Sequence, residues 1–277
     1  MTVIDRAPPE VAATVDPFTL PLGAPAPRRP RILSYVGRWG RARRWLPDDA
    51  LRVLDIGCSF GYGSAAIQAG GPEGRIVVGV ERDPDHLRGA HDRFAWITVL
   101  DGDATELPVP DRVADAVTML DIIEHVDRPE VAIAEARRVV HDGGVLVVSV
   151  PHRGLLHRLD ALNVYEALRR RRPHWPPLEA ATESGGHEHR HFRVSELEAL
   201  LLPQFEVDRV ARTGLGLQEL FHLGLLVLRV PLRAERITRA LLPLHLVIYL
   251  LDDLLPLGRF GYHLTVRART VSGGSSA

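Results

Sequence analysis

Residues 53–64 read Val53-Leu54-Asp55-Ile56-Gly57-Cys58-Ser59-Phe60-Gly61-Tyr62-Gly63-Ser64. A short apolar run ends in a glycine-rich turn, and a helical pattern follows. That order opens an α/β fold. Glycines in the turn let the backbone come close to a ligand at the carboxyl edge of the sheet. The turn is not that of a dinucleotide site. A G-x-G-x-x-G beginning at Gly57 needs glycine at 59 and 62, where Ser59 and Tyr62 stand. Asp55 would also repel a pyrophosphate, whereas it suits a ligand with a cationic ammonium.

Outward from this turn, apolar runs at 52–56, 75–80, 96–100, 114–120 and 145–150 alternate with helical patterns. Asp83-Pro84 reads as an N-cap followed by a first-turn proline. Asp127 with Glu130 resembles a capping box that opens a helix, with Pro129 in its first turn, and Gly143-Gly144 would stop that helix. Continuous apolar strands between helices predict a buried parallel sheet covered on both faces. Later, Ser195 with Glu198 opens another helix, and 205–211 reads as a strand. Residues 262–270 alternate Tyr262, Leu264, Val266 and Ala268 with polar residues, which predicts a strand with one apolar side. The expectation is five parallel strands followed by two late ones.

The 277 residues are 45% hydrophobic and 25% charged, the mix of a globular chain with a real core. A formal net charge of −1 speaks against nucleic acid as a partner. All 34 Lys+Arg residues are arginine, so chemistry that needs a lysine amine is excluded. With one cysteine, Cys58, there is no internal disulfide. No basic stretch followed by an apolar run opens the chain, so no signal peptide is read and the expected location is cytoplasmic. Residues 1–30 read as a disordered arm, 31–272 as one domain with inserts at 151–194 and 213–260, and 273–277 as a disordered tail. The stretch 28–46 carries seven arginines and reads as an amphipathic helix with a solvated basic face.

Acids recur at the predicted strand ends. Glu81, in VVGVERD, is placed to accept both hydroxyls of a ribose, and Asp103, in LDGDATELP, to accept from the exocyclic amine of an adenine. With Asp55 they describe a site for an amino acid, a ribose and a base. VLDIGCSFGYGS, GVERD, DGDATELP, ADAVTMLDIIEHV and ARRVVHDGGVLVVSVPH, in that order, resemble the motifs of class I S-adenosylmethionine-dependent methyltransferases. The likeness is strongest to the small-molecule group that includes the ubiquinone-biosynthesis O-methyltransferases, and it covers about residues 50–212 and the last strand. The resemblance implies a Rossmann-like, mostly parallel sheet of seven strands with the last antiparallel. It implies that Asp55 and Gly57 hold the methionine part, that Glu81 binds the ribose, and that Asp103 and Ala104 flank the adenine. Asp121 would lie near the amino group and the reaction centre. Cys58 and Gly61 in the turn, and Arg82 beside Glu81, complete the candidate cofactor set. Ser59 departs from the glycine usual there, which bears on the geometry of the turn.

Methyl transfer to a hydroxyl needs a base near neutral pH, and histidine is the usual candidate. His125 in DIIEHV and His152 in VPHRG both follow predicted strands at the carboxyl edge, and they are the candidate catalytic residues. His187 and His191 in GGHEHRHF are candidates for positioning substrate. A metal cluster of Glu124 and His125 with His187 or His191 lacks a defined ligand spacing, so no metal is expected. Cys58 has no paired base and reads as a packing residue.

The inserts complete the reading. The first carries Arg169–Arg172 beside Trp175. The second is strongly apolar, with 215–232 and 240–255 forming a helical hairpin, yet polar residues interrupt both runs and neither spans a bilayer. An apolar cap with arginines predicts a small apolar or lipid-like acceptor, methylated at oxygen, and contact with the periphery of a membrane. The alternatives are an NAD(P)-dependent oxidoreductase and a non-catalytic S-adenosylmethionine-binding protein.

Overall fold

The computed structural model describes residues 16–19, 37–154, 157, 160–177, 190–252, 254 and 256–271. The terminal segments read as arm and tail, residues 28–36, His187 and His189 lie outside the described residues, apart from the short piece at 16–19. The chain divides into two compact units. The first is Met1–Ser149, Ser195–Val210 and Thr265–Ala277, and the second is Val150–Val194 and Ala211–Leu264.

The strands are β1 (Arg52–Ile56), β2 (Ile76–Glu81), β3 (Thr98–Asp101), β4 (Ala114–Leu120), β5 (Val140–Pro151), β6 (Phe205–Thr213) and β7 (His263–Thr270), in the sheet order β3-β2-β1-β4-β5-β7-β6. The helices are α1 (Gly37–Trp45), α2 (Tyr62–Ala69), α3 (Pro84–Arg93), α4 (Pro129–Val139), α5 (Ala161–Arg171), α6 (Val194–Leu201), α7 (Leu217–Arg229) and α8 (Glu235–Asp252). β1 pairs in parallel with β2 and β4, β2 with β3, and β4 with β5. β7 runs against β6, because Val271 N–H donates to Gln204 O at one end and Tyr262 N–H to Gly214 O at the other. The result is the mixed, Rossmann-like seven-stranded sheet that the motifs imply.

In the first unit, strand order reverses between β1 and β4, the position where open α/β sheets bind ligands. Val53, Leu54, Ile56, Val77, Val78, Val117 and Met119 are fully buried, which is why these strands read as unbroken apolar runs. Asp83 caps α3 as read, accepting from the amides of Asp85 at 2.7 Å and His86 at 3.3 Å.

Five local expectations are corrected. Arg128, not Asp127, precedes α4 and makes no side-chain cap; Pro129 at the first position already dispenses with one amide. Gly143 and Gly144 lie inside β5 rather than stopping α4, since Val140 is already extended (φ −87°, ψ 138°) and the helix passes straight into the strand. Ser195 is inside α6, which begins at Val194. In β7 the polar residues His263, Thr265 and Arg267 are buried as well as the apolar ones, and α1 covers the face that carries Thr265 and Arg267. Arg267 is held by Asp208 (2.8 and 2.5 Å) and by Trp45 O at 3.1 Å. The described part of the basic segment is not simply solvated either: Arg41 in α1 is buried and donates to Thr265 Oγ1 at 3.2 Å.

In the second unit, α5 packs on α7 through Leu162, Tyr165, Trp175, Leu226 and Val230. The apolar run forms the predicted hairpin, α7 followed by α8. Asp252, read as an interruption, is buried and holds the turn that leads into α7: its carboxylate accepts from Leu215 N–H at 2.7 Å and Gly216 N–H at 3.0 Å. No described helix is long and apolar enough to cross a membrane.

Candidate functional site

β1 delivers Asp55 to the point where the strand order reverses. The register sets Thr118 of β4 directly opposite it, and Thr118 Oγ1 donates to Asp55 Oδ1 at 2.6 Å. Ser64, in the first turns of α2, donates to Oδ2 at 2.6 Å. Burial raises the Asp55 pKa even though both hydroxyl hydrogen bonds oppose the rise. Asp55 therefore lies beneath the turn and fixes strand, turn and helix together.

The turn above it is built on left-handed backbone. Gly57 has φ 72°, and a Cβ there would lie 2.7 Å from the Ile122 side chain, so both conformation and space demand glycine. Ser59 adopts φ 47°, the region where the family's usual glycine costs nothing. Its amide donates to Glu81 Oε2 at 2.9 Å. The other carboxylate oxygen of Glu81 accepts from the amides of Arg82 and Asp83, each at 2.9 Å. Three backbone amides thus set the plane of the Glu81 carboxylate at the end of β2. Cys58 is buried, and its thiol pKa is pushed well up by burial, then by Asp55 and Glu81, which marks a packing residue rather than a nucleophile. Gly61 (φ 76°) starts α2.

Asp103 follows β3 in a tight turn and accepts from the Thr105 amide at 2.8 Å and hydroxyl at 2.6 Å. Arg82 lies 3.6 Å from its other oxygen. Partial burial pushes the Asp103 carboxyl up, but the Thr105 hydrogen bonds and Arg82 outweigh it and hold the pKa below the ordinary value. Ala104, half-buried, is the next residue of that turn. Asp121, after β4, sits at φ 56° and is ion-paired with Arg38 of α1, while Ser149 Oγ donates to it at 3.0 Å. His125 closes the 3-10 turn Ile123–His125 and is half-buried, beside buried Glu124. Among the described residues no group of three or more His, Cys, Asp or Glu is arranged to hold a metal.

The second unit carries His152 and His191. His152 is buried, and its Nδ1 lies 2.8 Å from Gly261 O. That carbonyl accepts only, so Nδ1 carries the proton and Nε2 the lone pair. Burial lowers its pKa, the Gly261 carbonyl opposes this, and Arg212 adds to the lowering, so the ring is neutral at neutral pH. His191 Nε2 lies 3.5 Å from both Asp160 Oδ2 and Tyr262 Oη, and Tyr262 Oη donates to the same Asp160 oxygen at 3.0 Å. Asp160 also caps α5 through the Asn163 amide at 2.9 Å.

Residues 54–148 match the family model described as a methyltransferase domain. Over these residues the chain is similar to S-adenosylmethionine-dependent methyltransferases. It is 34% identical over 101 residues to a probable S-adenosylmethionine-dependent methyltransferase of Mycolicibacterium smegmatis, covering 36% of this chain and 38% of that protein. It is 33% identical over 162 residues to a demethylmenaquinone methyltransferase of Renibacterium salmoninarum, covering 53% of this chain and 60% of the relative. The chain thus spans less than two thirds of the length of these relatives. Among solved structures, a Thermotoga maritima S-adenosylmethionine-dependent methyltransferase, described as a possible histamine N-methyltransferase, shares the fold. Its TM-score is 0.55 at 21% identity, covering 86% of this chain and 89% of that one.

The residues of the matched segment fit S-adenosylmethionine by the chemistry of their donor set. Glu81 at the end of β2, Asp103 just beyond β3 and Asp121 just beyond β4 are acids, and they suit a diol, an exocyclic amine and an ammonium. Ser64, Thr118 and Arg38 were not singled out from sequence. Thr118 is 63 residues from Asp55, and only the strand register brings the two together. The one signal for Arg38 was the arginine density ahead of β1.

Proposed function

We propose that the chain transfers the methyl group of S-adenosylmethionine to a hydroxyl oxygen of a small apolar or lipid-like molecule. The observation that carries this reading is the Glu81 carboxylate, held by three backbone amides next to the left-handed turn. S-adenosylmethionine, when bound, supplies an electrophilic methyl on a sulfonium.

The chain's own residues would then divide the work. Glu81 accepts from a ribose hydroxyl through the lone pair of Oε2 that its three amides leave open. Asp103 accepts from the adenine amine, with Ala104 and Arg82 beside it. Gly57, Cys58 and Gly61 shape the turn against the methionine part, and Asp55 acts beneath them as a positioning residue. Asp121, its charge balanced by Arg38, meets the amino group. His152 is the first candidate base: neutral, with Nε2 able to take a hydroxyl proton. His125 is the second, and His191 is a candidate for positioning substrate.

An apolar acceptor is supported by the quinone-related name of the Renibacterium relative and by the leucine-rich helices of the second unit. The same helices support contact with the periphery of a membrane. Release of S-adenosylhomocysteine, measured with a panel of apolar phenols and quinols against polar catechols and amines, tests the reading. Turnover with the apolar hydroxyl compounds is expected. Turnover only with amines or polar acceptors would contradict it.

A further inference from the structure

On α8, Ile237, Ala240, Leu244, Val247 and Leu251 follow one another at spacings of three and four, and Leu254 continues the series just past the helix. Such spacing places side chains on one face. All six are exposed, Ile237 at 54% and Leu251 at 59%. The neighbouring face of the helix is the one turned to α7. There Thr238 and Asp252 are buried, and the His245 ring stacks on Phe221 at 5.8 Å and lies 5.7 Å from His222. The hairpin is therefore already packed, and the second apolar stripe is left facing outward.

Two observations say what covers it. Residues 240–251, ALLPLHLVIYLL, contain no charged side chain. A helix–helix seam is flanked by charges that set partner and register, whereas Leu241, Leu242, Pro243 and Ile248 flank this stripe. The exposed arginines are instead grouped at one end: Arg229, Arg233, Arg236 and Arg239 lie across the α7–α8 connection, with Glu235 paired to Arg239 at 3.1 Å, while Asp252 at the other end is buried. Arg170, Arg171 and Arg172 add an exposed basic run at the end of α5, which packs on α7. An apolar stripe bounded by a cluster of arginines matches an anionic bilayer surface, with the leucines among the acyl chains and the guanidinium groups at the phosphates.

We infer that the outer face of α8, with the arginines at 229–239, docks the protein on membranes containing anionic lipid. The inference deepens the membrane contact of the proposed reading, on which it rests, and names its surface. The helix lies in the interface and does not cross.

The test is co-sedimentation of the full chain with vesicles of phosphatidylcholine alone and of phosphatidylcholine with phosphatidylglycerol. Binding to the anionic vesicles is expected, weakening with salt. Leu244→Ser with Leu251→Ser is expected to lower partitioning at least tenfold. Arg233→Glu with Arg236→Glu is expected to lower it more than tenfold, about fivefold for each arginine lost. All four positions are exposed, so unchanged circular dichroism and an unchanged S-adenosylhomocysteine affinity are expected to accompany the loss. Absence of binding to anionic vesicles, or a stable dimer in light scattering that the leucine variants dissolve, overturns the inference. Titration of the same sample with S-adenosylhomocysteine separates the two failures. Cofactor binding without vesicle binding removes the docking surface alone, and vesicle binding without cofactor binding removes the methyltransferase reading alone.

Discussion

The amide of Ser59 donates to Glu81 Oε2 at 2.9 Å while Ser59 itself sits at φ 47°. This bond ties the turn after β1 to the acid that ends β2. It makes a left-handed serine part of the device that orients the acid.

Glu81→Ala is expected to weaken S-adenosylhomocysteine binding by about 10- to 100-fold, the scale of losing hydrogen bonds to a charged acceptor. Glu81→Gln keeps the shape but loses the charge and one acceptor, and should fall between. Calorimetric titration reads both. Full affinity in the alanine variant would remove Glu81 from the site.

Ser59→Gly relieves a left-handed serine at the entropic cost of a glycine. Unfolding stability is expected to rise by about 0.5–1 kcal/mol. Gly57→Ala meets the opposite situation, a positive φ and the Ile122 side chain, and is expected to cost about 2 kcal/mol or more. Urea denaturation distinguishes the two signs.

Asp55 gives a pH test. Its folded pKa is raised above the ordinary 3.8, chiefly by burial. Its contribution to stability is therefore complete below 3.8 and is lost as pH rises toward the folded value. Asp55→Asn cannot titrate, so the stability difference, wild type minus variant, should shrink between pH 4 and 8. Asp55→Ala, which strands the Ser64 and Thr118 hydroxyls, should be less stable than Asp55→Asn by about 1–3 kcal/mol at every pH. A wild-type advantage that grows with pH would contradict the buried carboxylate.

These effects also show what the chain made legible. Asp55, Glu81 and Asp103 stood out because each follows an apolar run, and the strand that carries each is where it was read, within a residue or two. Thr118, Ser64 and Arg38 gave no local signal, since their roles come from strand register, from the first turns of a helix and from a helix ahead of the sheet. The same limit explains β7. Its alternating pattern implies one wet face, but sequence alone does not say that α1 covers that face. Gly143-Gly144 misled for a related reason: glycine pairs mark helix ends only on average, and here the backbone left the helix at Val140 without one.

His152 carries the kinetic prediction. Its pKa lies below the ordinary 6.5, so the neutral ring persists to lower pH than usual, and the stability tied to it is present above 6.5 and lost as pH falls through the folded value. The acid limb of kcat for a hydroxyl acceptor should therefore fall below pH 6.5. His152→Gln should lower kcat by about 10²- to 10⁴-fold while the KM for S-adenosylmethionine stays unchanged. An unaltered kcat would transfer the base role to His125, tested by the same substitution there.

The most direct test of the central claim is calorimetric titration of the full chain with S-adenosylhomocysteine and, separately, with NADH. One-to-one binding of S-adenosylhomocysteine, weakened by Glu81→Ala and by Asp103→Ala, with no heat from NADH, is the predicted result. Binding of NADH, or no binding of S-adenosylhomocysteine by a folded sample, would contradict it.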